Sequence, residues 1–266
     1  MATTIAVPGI TGRMGRALAA GIFAQAGVQL AAATARPDNP LLDTDVGPLV
    51  GLEPQDVPIQ SQLPDTPNLF DVLIDFTTPE ATLAHIFWCK ARGVAMVIGT
   101  TGLSPDHQQA IQEASTTIPI VYSANMSVGT NLVFNLLEIA ARTLGGSCDM
   151  EIVEAHHRYK KDAPSGTALH MGSILARTMG RDLNRCRRPS DATGPREQGT
   201  IGFSSIRGGD LAGEHQVLFI GEGEQVEIGV RATSRATYAR GAIQAGCWLA
   251  GKKPGLFDMK DVLGLD

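Results

Sequence analysis

Positive charge and paired cysteines are both scarce in this 266-residue chain, and each scarcity closes off a class of function. Lys and Arg number 22 against 27 Asp and Glu, a net charge of −5. The basic field that marks a nucleic-acid binder is therefore missing. The four cysteines stand alone at 89, 148, 186 and 247. With no Cys-x-x-Cys, neither a zinc site nor a redox dithiol is signalled, and no metal is expected. No apolar run is long enough to span a bilayer; the stretch 17–27 is short and rich in Ala and Gly. No basic segment followed by an apolar one opens the chain. These readings lead to the expectation of a reduced, soluble, cytoplasmic protein with no membrane or nucleic-acid partner. Charged residues make up 18% and apolar residues 43%, which excludes disorder as a description of the whole chain.

Strand and helix signals alternate over the first half. Thr3-Thr4-Ile5-Ala6-Val7 is β-prone, a glycine-punctuated turn follows, and 13–26 reads as a helix closed by Gly27. Residues 28–34 complete a βαβ unit, which requires a parallel sheet. Seven of the fifteen prolines fall within 37–67, so this stretch is expected to be irregular, with one edge strand near 57–60. Strands at 72–76, 95–98 and 118–122 then alternate with helices opened by Thr78-Pro79 and Ser104-Pro105, each an N-cap followed by proline at the first helical position. Such alternation predicts a Rossmann-like, doubly wound α/β domain over 1–126.

The style changes at 127. A long helix capped by Ser127, a strand at 149–157 and a helix at 165–179 precede a polar, loop-like stretch at 181–198. Strands at 200–206, 214–220 and 225–232 follow with no helices between them. They predict a second α+β domain, 127–233, with an antiparallel or mixed sheet. Ser234 is read as the cap of a last helix, with 234–266 returning to the first domain.

Four motifs carry chemistry. Gly9-Ile10-Thr11-Gly12-Arg13-Met14-Gly15 lies between a strand and a helix. Its glycines let a pyrophosphate approach the backbone, and the helix start offers unpaired N–H groups. It is not the G-x-G-x-x-G spacing, and no Walker lysine follows. The second strand ends in Thr34-Ala35-Arg36, without the acid that holds a ribose 2′-hydroxyl. Arg36, with Arg13 or Arg16, is placed to pair with a 2′-phosphate, so NADPH is expected to serve at least as well as NADH. Gly99-Thr100-Thr101-Gly102 and Ser123-Ala124-Asn125-Met126 both follow buried strands and are expected to border the nicotinamide. Finally, five residues that are or can be cationic crowd into His156-His157-Arg158-Tyr159-Lys160-Lys161, just before the helix start Ser165-Gly166-Thr167. In an acidic chain this suggests a small polyanionic substrate. The two histidines, adjacent on a strand, are expected to face opposite sides. Taken alone, the stretch equally fits a solvated charge run with one packing histidine.

Gly9–Gly15, Gly99–Gly102, Ala124-Asn125, EAHHRYKKDAPSGT at 154–167, GTIGF at 199–203, RGGDLAGEH at 207–215 and LFDMKDVL at 256–263 together resemble the dihydrodipicolinate (4-hydroxy-tetrahydrodipicolinate) reductases of the diaminopimelate route to lysine. The resemblance implies NAD(P)H-dependent reduction of a cyclic dicarboxylate imine by a homotetramer whose C-terminal sheet builds the subunit interface. It further implies His156 as general acid/base, Lys160 as proton donor, and His157, Ser165, Gly166 and Thr167 as carboxylate binders. Gly9, Ile10, Thr11, Gly12, Arg13, Met14, Arg36, Gly99, Thr100, Thr101, Ser123, Ala124, Asn125 and Met126 would line the cofactor. Ala35 stands where members often carry an acid, Thr78 where a basic residue sometimes lies, and Tyr159 where another histidine is common. The rival readings are a different two-domain dehydrogenase of amino-acid metabolism and a non-catalytic dinucleotide binder. A short-chain dehydrogenase is excluded, since residues four beyond Tyr122, Tyr159 and Tyr238 are Met126, Ala163 and Ala242.

Overall fold

A computed structural model describes residues 2–66, 68–189 and 192–265. Pro67 of the proline-rich stretch, Ser190 and Asp191 of the polar loop, and residues 1 and 266 at the chain ends lie outside them. In chain order the elements begin β1 (Thr3–Pro8), α1 (Arg13–Phe23), β2 (Val28–Thr34), α2 (Val46–Leu49), β3 (Ile59–Gln60), β4 (Val72–Asp75), α3 (Pro79–Arg92), β5 (Ala95–Ile98), α4 (Pro105–Ala114) and β6 (Pro119–Tyr122). Next come α5 (Val128–Leu144), β7 (Asp149–His156), α6 (Gly166–Thr178), α7 (Leu183–Cys186), β8 (Ile201–Arg207), β9 (Gly213–Ile220) and β10 (Gln225–Ala232). The chain ends with α8 (Ala236–Leu249), β11 (Gly255–Phe257) and α9 (Met259–Leu263). It divides into two compact units, Met1–Val128 with Arg235–Asp266, and Gly129–Ser234.

The first unit is a parallel sheet of order β11-β6-β5-β4-β1-β2-β3. The order reverses between β1 and β4, and in such sheets the crevice beyond the strands' carboxyl ends at that point receives ligands. Every residue of β4 and β5 is buried, as expected of strands covered on both faces. Side chains alternate accordingly. Ile5, Val7, Val72, Ile74 and Val97 pack with Leu18, Ile22, Ala242 and Ile243 of α1 and α8, while Ala6, Leu73, Met96 and Ile98 pack with Ile86, Cys89 and Ile111 of α3 and α4. Among its described residues the proline-rich stretch contains only the four-residue α2 and the two-residue β3. Thr78 and Ser104 cap α3 and α4, and Ser104 forms a reciprocal capping box with His107. The structure moves some boundaries. α1 stops at Phe23, and α8 takes Arg235, not Ser234, as its N-cap. β11 and α9 were not anticipated; α9 opens with a capping box between Asp258 and Asp261.

The second unit holds a mixed sheet of order β10-β9-β7-β8, with β7 parallel to β8 and antiparallel to β9. Met150, Ile152, Ile201, Val217 and Phe219 pack against Leu137 of α5 and Met171 and Leu175 of α6. The period-2 alternation that buries Met150 and Ile152 continues along β7 to Glu154 and His156, which share that face. On β9 the same face runs from Phe219 and Val217 to His215 and Gly213. One end of the core side of this sheet is therefore polar. No helix among the described residues is long and apolar enough to cross a membrane.

Candidate active site

The glycine turn of the first unit is built by close approaches. Gly9 has φ +68°, and a β-carbon at Gly15 would lie 2.6 Å from Ile10 Cα and closer still to the Gly9 carbonyl oxygen. Only glycine lets α1 start this near the turn. Gly12 N-caps α1 with no side-chain hydrogen bond, and no acid sits in its first turn. The positive end of the helix is thus left for an anion. Ile10 is fully buried and tied through its N–H to Thr34 O at 2.9 Å, so only its backbone faces the turn. Asn39 Nδ2 donates to Thr11 Oγ1 at 3.1 Å and Arg16 Nε donates to Thr11 O at 3.1 Å. Gly9, Thr11, Gly12, Arg36, Asn39 and His85 line a cleft of about 510 Å³. Arg36 projects from its rim, its side chain 84% exposed and paired loosely with Asp38 at 3.7 Å.

A buried carboxylate supports the strand ends beside this cleft. Asp75, fully buried at the end of β4, accepts from Thr77 N at 2.8 Å and Thr77 Oγ1 at 2.6 Å, and meets His85 Nδ1 at 2.8 Å. Thr100, also buried, reaches Asp75 at 3.5 Å and is paired with Thr82 at 2.8 Å. Gly99 N donates to Asp75 O at 2.8 Å, and a β-carbon at Gly99 would collide with the Phe76 ring. Thr101 is exposed. After β6, Ser123 Oγ donates to Asn125 O at 3.1 Å, and Asn125 Oδ1 accepts from Ser127 N at 2.8 Å. Ala124 is exposed, and Met126 is buried in the core.

The polar end of the second unit's core is a connected set of charges. His156 Nδ1 lies 2.5 Å from Glu154 Oε2, whose carboxylate is 1% exposed. Arg207 grips Glu154 with both terminal nitrogens, at 2.8 and 2.6 Å, and also donates to Asp162 O at 2.7 Å. Ser165, the N-cap of α6, donates its N–H to Glu154 Oε1 at 3.3 Å, and its hydroxyl meets His215 Nε2 at 2.8 Å. The His156 and His215 rings meet edge-on with centroids 5.0 Å apart. Lys160 Nζ pairs with Asp162 Oδ1 at 2.9 Å. His157 lies beyond the strand: its N–H donates to Leu211 O at 2.9 Å, and its Nδ1 is buried without a hydrogen-bond partner. The expected strand at 149–157 is one residue shorter, because β7 ends at His156, so the strand alternation from which opposite faces were expected stops short of His157.

Burial alone would raise the Glu154 pKa; hydrogen bonds from Arg207, Ser205 and His156 outweigh it and bring it down to about 2. Burial depresses His156 below its ordinary value, reinforced by Lys160 and Arg207 and opposed by Glu154. For His215 burial dominates, with the positive groups around it, and the value falls to about 4. Both histidines are thereby shifted toward the neutral form, with Lys160 among the groups that act on them.

The predicted residues fall into two groups, each within its own unit. Glycine spacing, strand ends and the His-Lys cluster marked them out. Glu154, Arg207, His215, Asp75 and His85 were assigned no role. The i, i+2 spacing of Glu154 and His156 on a predicted strand was a usable signal for the first of these. Among the described residues no group of three or more His, Cys, Asp or Glu side chains is arranged to hold a metal.

Comparisons with known proteins agree along the whole length. Residues 3–126 match the family model for the dihydrodipicolinate reductase N-terminus, and 129–263 that for its C-terminus. A 4-hydroxy-tetrahydrodipicolinate reductase from Acinetobacter baumannii is 50% identical over 267 residues, covering 100% of this chain and 97% of that one. Its counterpart from Methylococcus capsulatus is 50% identical over 261 residues, covering 97% of each. Among solved structures, a dipicolinate-bound dihydrodipicolinate reductase from Paenisporosarcina sp. TG-14 superposes with a TM-score of 0.75 at 24% identity, covering 97% of this chain and 98% of that one, a likeness of fold. With both family models matched in chain order and half of its residues shared with named reductases, this chain belongs to the dihydrodipicolinate reductase family.

Proposed function

We propose that this chain reduces 4-hydroxy-tetrahydrodipicolinate, a cyclic dicarboxylate imine, to tetrahydrodipicolinate with NADPH or NADH, on the diaminopimelate route to lysine. The observation that carries the reading is the carboxylate-backed imidazole of His156, set in the same cluster as Lys160, in a chain half identical to reductases of that name.

The first unit's residues fit a dinucleotide: an uncapped helix start free of acids, next to a turn where Gly15 leaves no room for a β-carbon. Gly9, Ile10, Thr11, Gly12, Arg13 and Met14 would hold its pyrophosphate. Arg36 would meet the ribose side, and Gly99, Thr100, Thr101, Ser123, Ala124, Asn125 and Met126 the nicotinamide side. When bound, the cofactor supplies a hydride. The substrate carries a hydroxyl that the product lacks, so that hydroxyl leaves as water and gives the conjugated ring; the protein's own task is then to hold the dicarboxylate and deliver one proton to the end of the conjugated system opposite the hydride. The α6 start at Ser165, Gly166 and Thr167, with His157, receives the carboxylates. Lys160 Nζ donates the proton, and His156 acts as general acid/base. Arrival of two substrate carboxylates offsets the positive groups that depress His156 and raises its proton affinity. The same proposal places the enzyme in the cytoplasm as a homotetramer. Ile206 and Ile220, exposed at 53% and 40% on the sheet, are available for subunit contact.

Oxidation of NADPH and NADH, followed by absorbance with substrate made in situ by the preceding synthase, tests the reading. NADPH is expected to serve at least as well as NADH, and Arg36→Ala to raise KM for NADPH more than for NADH. Oxidation of neither cofactor would reject the activity. Strong NADH preference unchanged by Arg36→Ala would reject the role given to Arg36.

A further inference from the structure

The charges behind His156 form a second layer that settles which of its nitrogens can exchange a proton. In the strand register, Glu154 stands opposite His215 on β9, and His156 stands opposite Arg207 on β8. All four side chains are consequently brought to one face of the sheet. Glu154 is 1% exposed, held by both terminal nitrogens of Arg207 and by Ser165 N–H. A buried carboxylate locked by a guanidinium in this way stays ionised and has no proton to give. The 2.5 Å bond to His156 Nδ1 must then be donated by the ring. His215 Nε2 meets Ser165 Oγ at 2.8 Å. The remaining charged groups nearby, Lys160 and Asp162, pair with each other at 2.9 Å.

On the other side of the ring lies Gly213. A β-carbon there would sit 3.0 Å from His156 Nε2, and the backbone has φ +155°, which side-chain-bearing residues rarely adopt. No side chain from position 213 therefore covers Nε2.

We propose that Glu154, clamped by Arg207, is the positioning residue that fixes His156 as its Nδ1–H tautomer, so that Nε2 is the one nitrogen free to take and give a proton, and that Gly213 keeps that nitrogen uncovered. The arrangement follows the logic of a carboxylate orienting a catalytic imidazole. It rests on the proton-handling role given to His156 above, and it adds three residues to which no role was assigned.

The test is direct observation of the tautomer. In protein labelled with ¹⁵N-histidine, two-bond ¹H–¹⁵N correlation spectra near pH 7.5, assigned with a His156→Asn control, should show His156 with a protonated Nδ1 and a bare Nε2. Glu154→Gln should change that signature and lower kcat by about 10²-fold or more, with substrate KM within about threefold and Glu154→Asp recovering part of the loss. A wild-type spectrum with the proton on Nε2 overturns the proposal. So does a Glu154→Gln enzyme that keeps wild-type kcat. The wild-type spectrum requires no activity, and the one substitution behind it is the His156→Asn assignment control. If it shows the Nδ1–H form in a chain that oxidises no cofactor, the reductase reading fails while the orienting role stands. If Glu154→Gln does not fold, the wild-type spectrum and Glu154→Asp still decide the matter.

Discussion

His215 should make the second unit sensitive to mild acid. Its ring is 7% exposed, and burial, with His156, Lys160 and Arg207 nearby, brings its pKa from 6.5 to about 4. Between those values the unfolded chain binds a proton at this position that the folded chain does not. Stability from this group is therefore complete above pH 6.5 and declines as pH falls toward 4. At about 1.4 kcal/mol per pH unit, the loss is about 3 kcal/mol over the whole window and about 2.5 kcal/mol by pH 4.5. Glu154 extends the decline: its pKa is lowered from 4.5 to about 2, so its contribution is present above pH 4.5 and is lost as pH falls toward 2. His215→Gln removes the first titration and keeps an amide within reach of Ser165 Oγ. Urea unfolding of both proteins at pH 7.5, 6, 5 and 4.5 would measure the difference. Far-UV circular dichroism is the appropriate probe, because Trp88 and Trp248 both lie in the first unit. The variant should lose about 2 kcal/mol less than wild type between pH 7.5 and 4.5. Parallel pH dependences, whatever the absolute stabilities, would refute the reasoning.

Two further substitutions probe the two units separately. Gly15→Ala places a methyl group against the backbone of Gly9 and Ile10, so the turn must shift. Thermal unfolding should show a loss of about 1–3 kcal/mol, and NADPH titration should show affinity reduced at least tenfold; unchanged affinity would contradict the close-approach argument. Phe219→Ala hollows the second core at a fully buried position and should cost about 3–5 kcal/mol in chemical denaturation, with NADPH binding retained.

Much of the fold can be read from local signals. The bounds of β2, β5 and β10 coincide with the β-prone runs at 28–34, 95–98 and 225–232; Gly27 before β2 and Gly99 after β5 mark an end of those two runs. Short elements were less legible. β11 has three residues and exists through its pairing with β6, a tertiary fact with no local periodicity. The Asp258 and Asp261 capping box at α9 was a readable signal. In the second unit, the histidines and Lys160 stood out as a charge cluster, but the partners of His156 depend on strand register. β8 runs one residue further than its apolar pattern suggests, to Arg207, and only its parallel pairing with β7 sets that guanidinium opposite His156. Asp75 was hidden for a similar reason. It reads as the polar end of an apolar strand, and its partners Thr77, His85 and Thr100 come from three separate segments.

The most direct test of the catalytic account is single-turnover reduction by His156→Ala and Lys160→Ala, with NADPH dissociation constants measured on the same preparations. The account predicts a fall in the chemical rate of about 10²–10⁴-fold for each, with cofactor binding within about threefold of wild type. Wild-type turnover in either variant would contradict it.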